Sequence, residues 1–384
     1  MSDCSLKILS LIFLLFTGTA NASLTMPRSV EFSCTKCHYN TLGGTGLNDF
    51  GRSYLKNELN GEWFRTSEKP PRFEGNYWWI SPQAHISGIT TRRNPNGDND
   101  KNKGFLKRLE ATLTYGDMFS KWNLGFTYGH LPTSMTVATF SFDPSFKQYY
   151  VRYELDLGFW VYAGLLPKVY GLRLSDHTSL SRNGLGFTPY GNYDFNESEQ
   201  IIFHQQKLSS EFALAVFQGH PLEAPNLRHK GGSLMIENSI AEYTKIGLSV
   251  LSSKNQIEKR DWYAFHMRTQ LNVKSALLFE QGWITNSANT SELDGSYYKY
   301  FGTYSFLSLS QQVSKSTFWI NQISRISVQN KPDIPEAWKL SIGLDTYFDE
   351  SGSLQLRASN DRSLTKEQTF AESWLLYVIT NFYY

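Results

Sequence analysis

The chain has 384 residues, of which 15% are aromatic and only 19% charged, and its net charge is +2. Mean hydropathy is −0.39. Many rings with few charges is a poor composition for a cytosolic enzyme, and so small a net charge gives no electrostatic pull toward nucleic acid or an acidic partner.

Residues 1–22 read as an export signal. Lys7 precedes the apolar run Ile8 to Phe16, and Ala20-Asn21-Ala22 supplies a small-x-small cleavage pattern. The run is too short to span a bilayer as a helix. No cysteine follows the cleavage site directly, so a lipid anchor is not expected. Cleavage after Ala22 removes Cys4 and leaves Cys34 and Cys37. No later stretch reaches the ~18 apolar residues of a transmembrane helix. Any membrane this chain crosses must be crossed by strands.

Residues 23–75 carry Cys34-Thr35-Lys36-Cys37-His38. A C-x-x-C-H run reads as a c-type haem attachment site. The two thiols would hold the porphyrin by thioether bonds, and His38 would be the proximal iron ligand. A redox disulfide or half of a zinc site are the other readings of C-x-x-C. Zinc wants four ligands, and the chain has no second cysteine pair. A thioredoxin-like pair would need a βαβ setting. Behind an export signal, the motif predicts one covalent haem c.

After the motif comes a glycine-containing loop, Tyr39 to Gly44. Thr45 then caps a short predicted helix from Leu47 to about Leu59, with Leu47, Phe50, Tyr54 and Leu55 at helical spacing. Its apolar face would cover a haem edge or pack on protein. Lys69-Pro70-Pro71-Arg72 reads as a stiff, extended linker. Between His38 and His85 there is no histidine or methionine. A segment of about 50 residues is also too small to bury a haem alone. Either the iron keeps an open sixth position or the rest of the chain completes the site; Met26, His85 and His177 are the candidate distal ligands.

Residues 76–384 predict a mostly β fold, a transmembrane β-barrel of the outer-membrane type. Leu109 to Tyr115 and Trp122 to Tyr128 alternate apolar and polar residues. From Gln148 to Leu157, Tyr149, Val151, Tyr153, Leu155 and Leu157 share one face, and Gln148, Arg152, Glu154 and Asp156 the other. From Tyr263 to Val273 the polar face holds His266, Arg268, Gln270 and Asn272. A soluble sandwich also alternates. Aromatic and aliphatic outward faces, and a last strand from Trp374 to Tyr384 that ends on an aromatic, favour the barrel.

Roughly 300 residues at about 19 per strand and connection give about 16 antiparallel strands. Arg92 to Gly104 reads as a long extracellular loop, with Asp98-Asn99-Asp100 more readily a solvated turn than a cation site. Gly116-Asp117-Met118 and Asp143-Pro144-Ser145 read as short periplasmic turns. Tyr170 to Arg182 crowds Arg173, Asp176, His177 and Arg182 into strand territory. That predicts either a lumenal site, with His177 toward iron or a propionate, or a plain polar wall or surface loop.

Arg28, Cys34-x-x-Cys37-His38 and Leu47-Asn48-x-Phe50-Gly51-Arg52-x-Tyr54 resemble the N-terminus of the fused cytochrome–porin family of iron-oxidising bacteria. The resemblance covers about thirty residues, and over the barrel it is only architectural. It implies one covalent haem at the periplasmic mouth of a barrel or inside it. It also implies electron transfer across the outer membrane with ferrous iron as donor. Two departures stand out: Gly43-Gly44-Thr45-Gly46 lengthens the loop, and Asn60-Gly61-Glu62-Trp63 replaces a glycine-tyrosine turn.

The leading expectation is therefore an electron conduit in the outer-membrane lipid. It would link an extracellular redox substrate, with Fe(II) the implied one, to a periplasmic c-type cytochrome or other soluble electron carrier. The alternative is a solute-conducting porin with the haem segment as plug or redox sensor. A haem peroxidase would need a distal acid/base, which the haem segment lacks.

Overall fold

The structure is a computed structural model. It describes residues 73–383 apart from 75–77, 94–100, 116–120, 133–141, 157, 173–196, 207–208, 224, 227, 257, 273, 290–296, 315, 330–335, 350–351 and 365–369. In chain order the strands are β1 (Phe73–Glu74), β2 (Trp78–Arg93), β3 (Lys101–Tyr115), β4 (Trp122–Pro132), β5 (Phe142–Asp156) and β6 (Phe159–Pro167). Next come β7 (Glu197–Gln206), β8 (Ser210–Phe217), β9 (Lys230–Ala241), β10 (Thr244–Lys254), β11 (Glu258–Asn272) and β12 (Ser275–Asn289). The chain closes with β13 (Tyr297–Gln312), β14 (Thr317–Gln329), β15 (Glu336–Asp349), β16 (Gly352–Leu364) and β17 (Phe370–Tyr383). No helix occurs among the described residues.

All 17 strands belong to one antiparallel sheet. From β2 onward each strand pairs with the next in sequence, and β17 pairs back onto β2 with Phe382 opposite Ala84. The sheet thus closes into a ring without a free edge, which leaves no row of unpaired backbone groups. The short β1 pairs with β2, Phe73 opposite Ile80, so the sheet begins ahead of residue 76.

The connections sort by length onto the two ends. At one end β5–β6, β9–β10, β11–β12 and β15–β16 are joined by the pairs 157–158, 242–243, 273–274 and 350–351. At the other, β6–β7 is joined by 168–196 and β8–β9 by 218–229. Because directions alternate, β2 starts and β17 finishes at the short-turn end. Residues before Phe73 therefore join the ring there.

Two turn expectations are corrected. Asp143-Pro144-Ser145 is no periplasmic turn: it lies inside β5, opposite Leu131, His130 and Gly129 of β4, toward the long-loop end. Asp-Pro is a turn signal, but a proline near the beginning of a strand removes only a peripheral ladder bond and is tolerated there. The loop expected over residues 92–104 shrinks to 94–100, because β2 and β3 extend through its flanks with Thr91 opposite Lys101.

Alternation places the residues in an order inverse to a soluble core. On β10, Leu248 (62% exposed) and Val250 point outward, and Ser249 and Leu251 are buried. Outward-facing Ile201, Val216, Trp283, Leu340 and Ile342 are likewise exposed, whereas Gln200, His204, Glu211, Glu237, His266 and Glu280 are buried within the ring. An outer face of this kind is stable only against an apolar medium. The interior also holds rings: Tyr150, Tyr162, Trp262, Tyr304, Phe306 and Phe318 are all buried.

Candidate functional site: the lumen and its inward segment

After Pro167 the chain leaves the ladder of β6 and turns into the ring. Gln200 on β7 fixes this exit, its Nε2 donating to the carbonyls of Leu166 at 2.6 Å and Pro167 at 2.9 Å. The next residues lie against β10 to β13. Gly171 N donates to Ser249 Oγ at 3.0 Å. Leu172 N donates to the Glu280 carboxylate, which also accepts the Tyr304 hydroxyl. The Tyr304 oxygen lies 3.3 Å from that of Tyr170, whose ring packs 5.9 Å from Trp262. Tyr170 belongs to one apolar cluster with Phe217, Leu251, Trp262, Ile284, Tyr304 and Ile326.

Gly171 makes the approach feasible. Its φ is +59°, a left-handed conformation costly for any residue with a Cβ, and a Cβ there would stand 2.5 Å from Glu280 Oε1. A carboxylate and a backbone N–H thus meet where only a glycine lets the chain come this close. Four consecutive strands, β10 to β13, and one short stretch of the β6–β7 connection form a latch across the lumen.

The charged wall residues are mostly spent on one another. Glu237 accepts from Arg268 Nε at 2.9 Å and lies 3.4 Å from His266 Nε2. These partners sit on β9 and β11, with β10 between them. Gly247 is the register partner of both Glu237 and His266 and has no side chain to separate them; a Cβ there would stand 2.2 Å from His266 Nε2. His204 Nε2 lies 3.0 Å from Glu211 Oε1, and Arg357 Nη2 donates to Asp345 Oδ2 at 2.8 Å. Removing one partner from such a buried pair leaves the other uncompensated, which is strongly destabilising.

At the long-loop end a second polar cluster fastens the 218–229 connection. Arg228 Nε donates to the Glu223 carbonyl at 3.0 Å, and His220 N donates to the Glu223 carboxylate at 3.3 Å. His229 is buried between Ser253 Oγ at 3.3 Å, Asn255 Nδ2 at 3.0 Å and Glu258 Oε2 at 3.5 Å. Burial, with the positive charges of Arg260 and Lys168, holds its imidazole down at about 4, and Glu258 offsets only part of this. Burial pushes Glu223 above the usual carboxylate range, against the opposing charges of Lys168, Arg260 and Arg228.

Of the sites expected from sequence, Cys34, Cys37, His38 and Met26 lie outside the described residues, as do Arg173, Asp176, His177 and Arg182. His85 is opposite Arg108 and Asn381 in β2. The head of the Tyr170–Arg182 stretch does enter the ring interior, through Tyr170, Gly171 and Leu172. These three residues follow the end of β6 and belong to no strand, and residues 173–182 lie outside the described residues. Among the described residues no group of three or more histidine, cysteine or acidic side chains has metal-binding geometry. Glu280, Ser249 and Tyr304 escaped sequence reasoning because their partner lies 78 to 134 residues away.

No family model matches the chain, and no curated protein does. Many solved structures share its fold. OmpT, an outer membrane protein of Vibrio cholerae, is 7% identical with a TM-score of 0.59, over 82% of this chain and 100% of that one. The outer membrane channel DcaP of Acinetobacter baumannii is 9% identical with a TM-score of 0.60, over 80% and 97%. An anion-selective porin from Comamonas acidovorans is 11% identical with a TM-score of 0.55, over 80% and 99%. At these identities the likeness is one of fold: this chain has the closed antiparallel barrel of the porins.

Proposed function

We propose that the chain is an outer-membrane channel of the porin type, conducting small solutes through a lumen narrowed by residues 168–172. The observation that carries this reading is the latch: a closed ring with an apolar outside holds a stretch of chain across its own interior by Glu280, Ser249 and Tyr304. The barrel fold, shared with proteins described as outer-membrane channels and porins, supports it. The short-turn end is then periplasmic. Purified protein added to a planar lipid bilayer should give stepwise, ohmic conductance. A folded protein that inserts and conducts nothing overturns the reading.

A second reading adds a redox role and rests on the Cys34-x-x-Cys37-His38 motif. Two thiols and one imidazole in this spacing are the donor set of haem c, which supplies one-electron chemistry when bound. Cys34 and Cys37 would hold the haem, and His38 would set the proximal side of the iron. The haem segment precedes β1, which pairs with the first residues of β2 near the short-turn end. It would therefore serve that mouth, as plug, sensor or electron carrier. A haem-stained denaturing gel of wild type and of Cys34→Ala/Cys37→Ala tests attachment. Oxidation of the reduced protein by a periplasmic c-type cytochrome, or its reduction by Fe(II), tests the carrier role. Conductance that is unchanged while neither electron exchange occurs leaves the solute channel as the function.

A further inference from the structure

Among the described residues the buried arginines obey a pattern with one exception. The buried arginines Arg260 and Arg357 each face a carboxylate, Glu258 at 2.7 Å and Asp345 at 2.8 Å. Arg268 faces Glu237. Arg152 on β5 is equally buried, at 5% exposure, yet neither Nε nor Nη2 has a hydrogen-bond partner. Among the described residues no acidic side chain pairs with it. It points inward, in register with Asn123 of β4 on one side and Tyr162 of β6 on the other, both buried. Tyr150 lies two residues before it on the same face, its ring against Gly125, where a Cβ would stand 2.3 Å from it.

A guanidinium withdrawn from water without a counter-charge is strongly unfavourable, and arginine cannot escape by losing its proton. Its neighbours Asn123, Tyr150 and Tyr162 supply an amide and two phenols, and Glu154, the next residue on its face, is only half-buried and forms no ion pair with it. The planar fork of donors matches an oxyanion with two oxygens, a carboxylate or a phosphate. Arg152 lies near the end of β5, and Asn123 near the start of β4, so the position is close to the short-turn mouth.

We propose that Arg152, flanked by Asn123 and Tyr162, is an oxyanion-binding site at the short-turn mouth of the lumen. This deepens the channel reading by assigning the pore a preference for solutes that carry a carboxylate or phosphate. The same chemistry has a second source within the chain, a propionate of a haem held on Cys34 and Cys37, because that segment joins the ring at this mouth. The two sources share the site and exclude one another.

The test titrates the full-length, detergent-folded protein with inorganic phosphate by calorimetry. Wild type, haem-free Cys34→Ala/Cys37→Ala, Arg152→Gln and Arg152→Met are compared, the Arg152 variants also in the haem-free background. Haem-free protein should bind phosphate saturably, and Arg152→Gln should weaken this about tenfold or more, the scale of a charge-assisted pair. Equal binding by haem-loaded wild type assigns the site to solutes; loss of binding on haem loading assigns it to a propionate. Folding of each variant is read from heat-dependent gel mobility. Arg152→Met should melt at or above wild type in phosphate-free buffer, since an unpaired charge has been removed.

Absence of saturable phosphate binding in folded haem-free protein overturns the proposal, as does binding indifferent to Arg152→Gln. Bilayer recordings separate this from the channel reading. Arg152-dependent binding in a protein that conducts nothing ends the channel and keeps the site. Conductance without such binding keeps the channel and ends the site.

Discussion

Glu280 bears the largest share of the lumenal latch, and replacing it with alanine is the sharpest perturbation of the pore. The carboxylate accepts the Leu172 N–H and the Tyr304 O–H, both buried. Glu280→Ala leaves two donors without their acceptor. An orphaned buried donor costs about 1–3 kcal/mol; Tyr304 loses its acceptor in either state, so the Leu172 N–H alone costs the latched state about 1–3 kcal/mol against a released one. A shift of about 2 kcal/mol changes the latched-to-released ratio about thirtyfold. The Gly171–Ser249 bond and the Tyr170–Trp262 contact remain, so the released state competes with the latched one rather than replacing it. In a planar bilayer the variant should flicker between the wild-type level and a larger one. Backbone amides of 168–172 should exchange with deuterium faster in the detergent-folded protein. Gly171→Ala should do the same from the other side, since its Cβ would stand 2.5 Å from Glu280 Oε1 and its φ of +59° disfavours alanine. The double variant should fall short of the sum, because both changes break one contact. Glu280→Ala protein with wild-type conductance, noise and exchange would refute the latch.

Acid should loosen the 218–229 loop. His229 titrates at about 4 in the folded protein against 6.5 unfolded. The unfolded or opened form therefore binds the proton first, and the contribution of neutral His229 is complete above 6.5 and lost as pH falls toward 4, by about 3 kcal/mol at most. Protease cutting within 218–229 should rise across that window and flatten in His229→Gln, whose amide needs no proton. Gly247→Ala should destabilise the ring by about 1–3 kcal/mol, since its Cβ would meet His266 Nε2 at 2.2 Å and push the ring from Glu237; thermal melting followed by circular dichroism reads this. Leu248→Arg puts a charge on the outward apolar face of β10 and should cost about 2–4 kcal/mol in a bilayer, measured by reversible folding into lipid vesicles.

Strand existence was legible because it is local. The faces read between Gln148 and Leu157 reappear as buried Gln148 and Arg152 against exposed Val151 and Leu155. The polar face read around His266 and Arg268 is the interior face, although Trp262 and Ala264 share it, so polarity alone understates how much aromatic packing the interior holds. What the chain hid is pairing at a distance. His266 reaches Glu237 across a whole strand only because Gly247 leaves room, and a single glycine in an alternating run gives little warning of that. Asp143-Pro144 misled for the converse reason: its local turn chemistry is real, but closing the ring extended β5 through it. The entry of Tyr170 into the lumen was half legible. Charge crowding at 173–182 pointed to a special segment, while the residues that hold its head, Ser249, Glu280 and Tyr304, lie on β10, β12 and β13.

The two proposed roles meet at one end of the barrel, and this makes their separation a matter of physics rather than of naming. A segment of about 50 residues cannot itself shield a haem from water. Shielding, axial ligation and hydrogen bonds are what set a haem's potential, whereas thioether attachment needs only the two thiols. A haem segment that stands clear of the barrel would keep its potential whatever is done to the interior wall. One that seats in the short-turn mouth would keep its covalent haem but change its potential when Arg152 or the adjacent Tyr162 is altered. Attachment then reports on Cys34 and Cys37, potential reports on the wall, and conductance reports on whether the seated segment leaves a path beside it. A chain in which all three move independently is a cytochrome merely tethered to a pore. A chain in which a change at Arg152 moves the last two together is a single device.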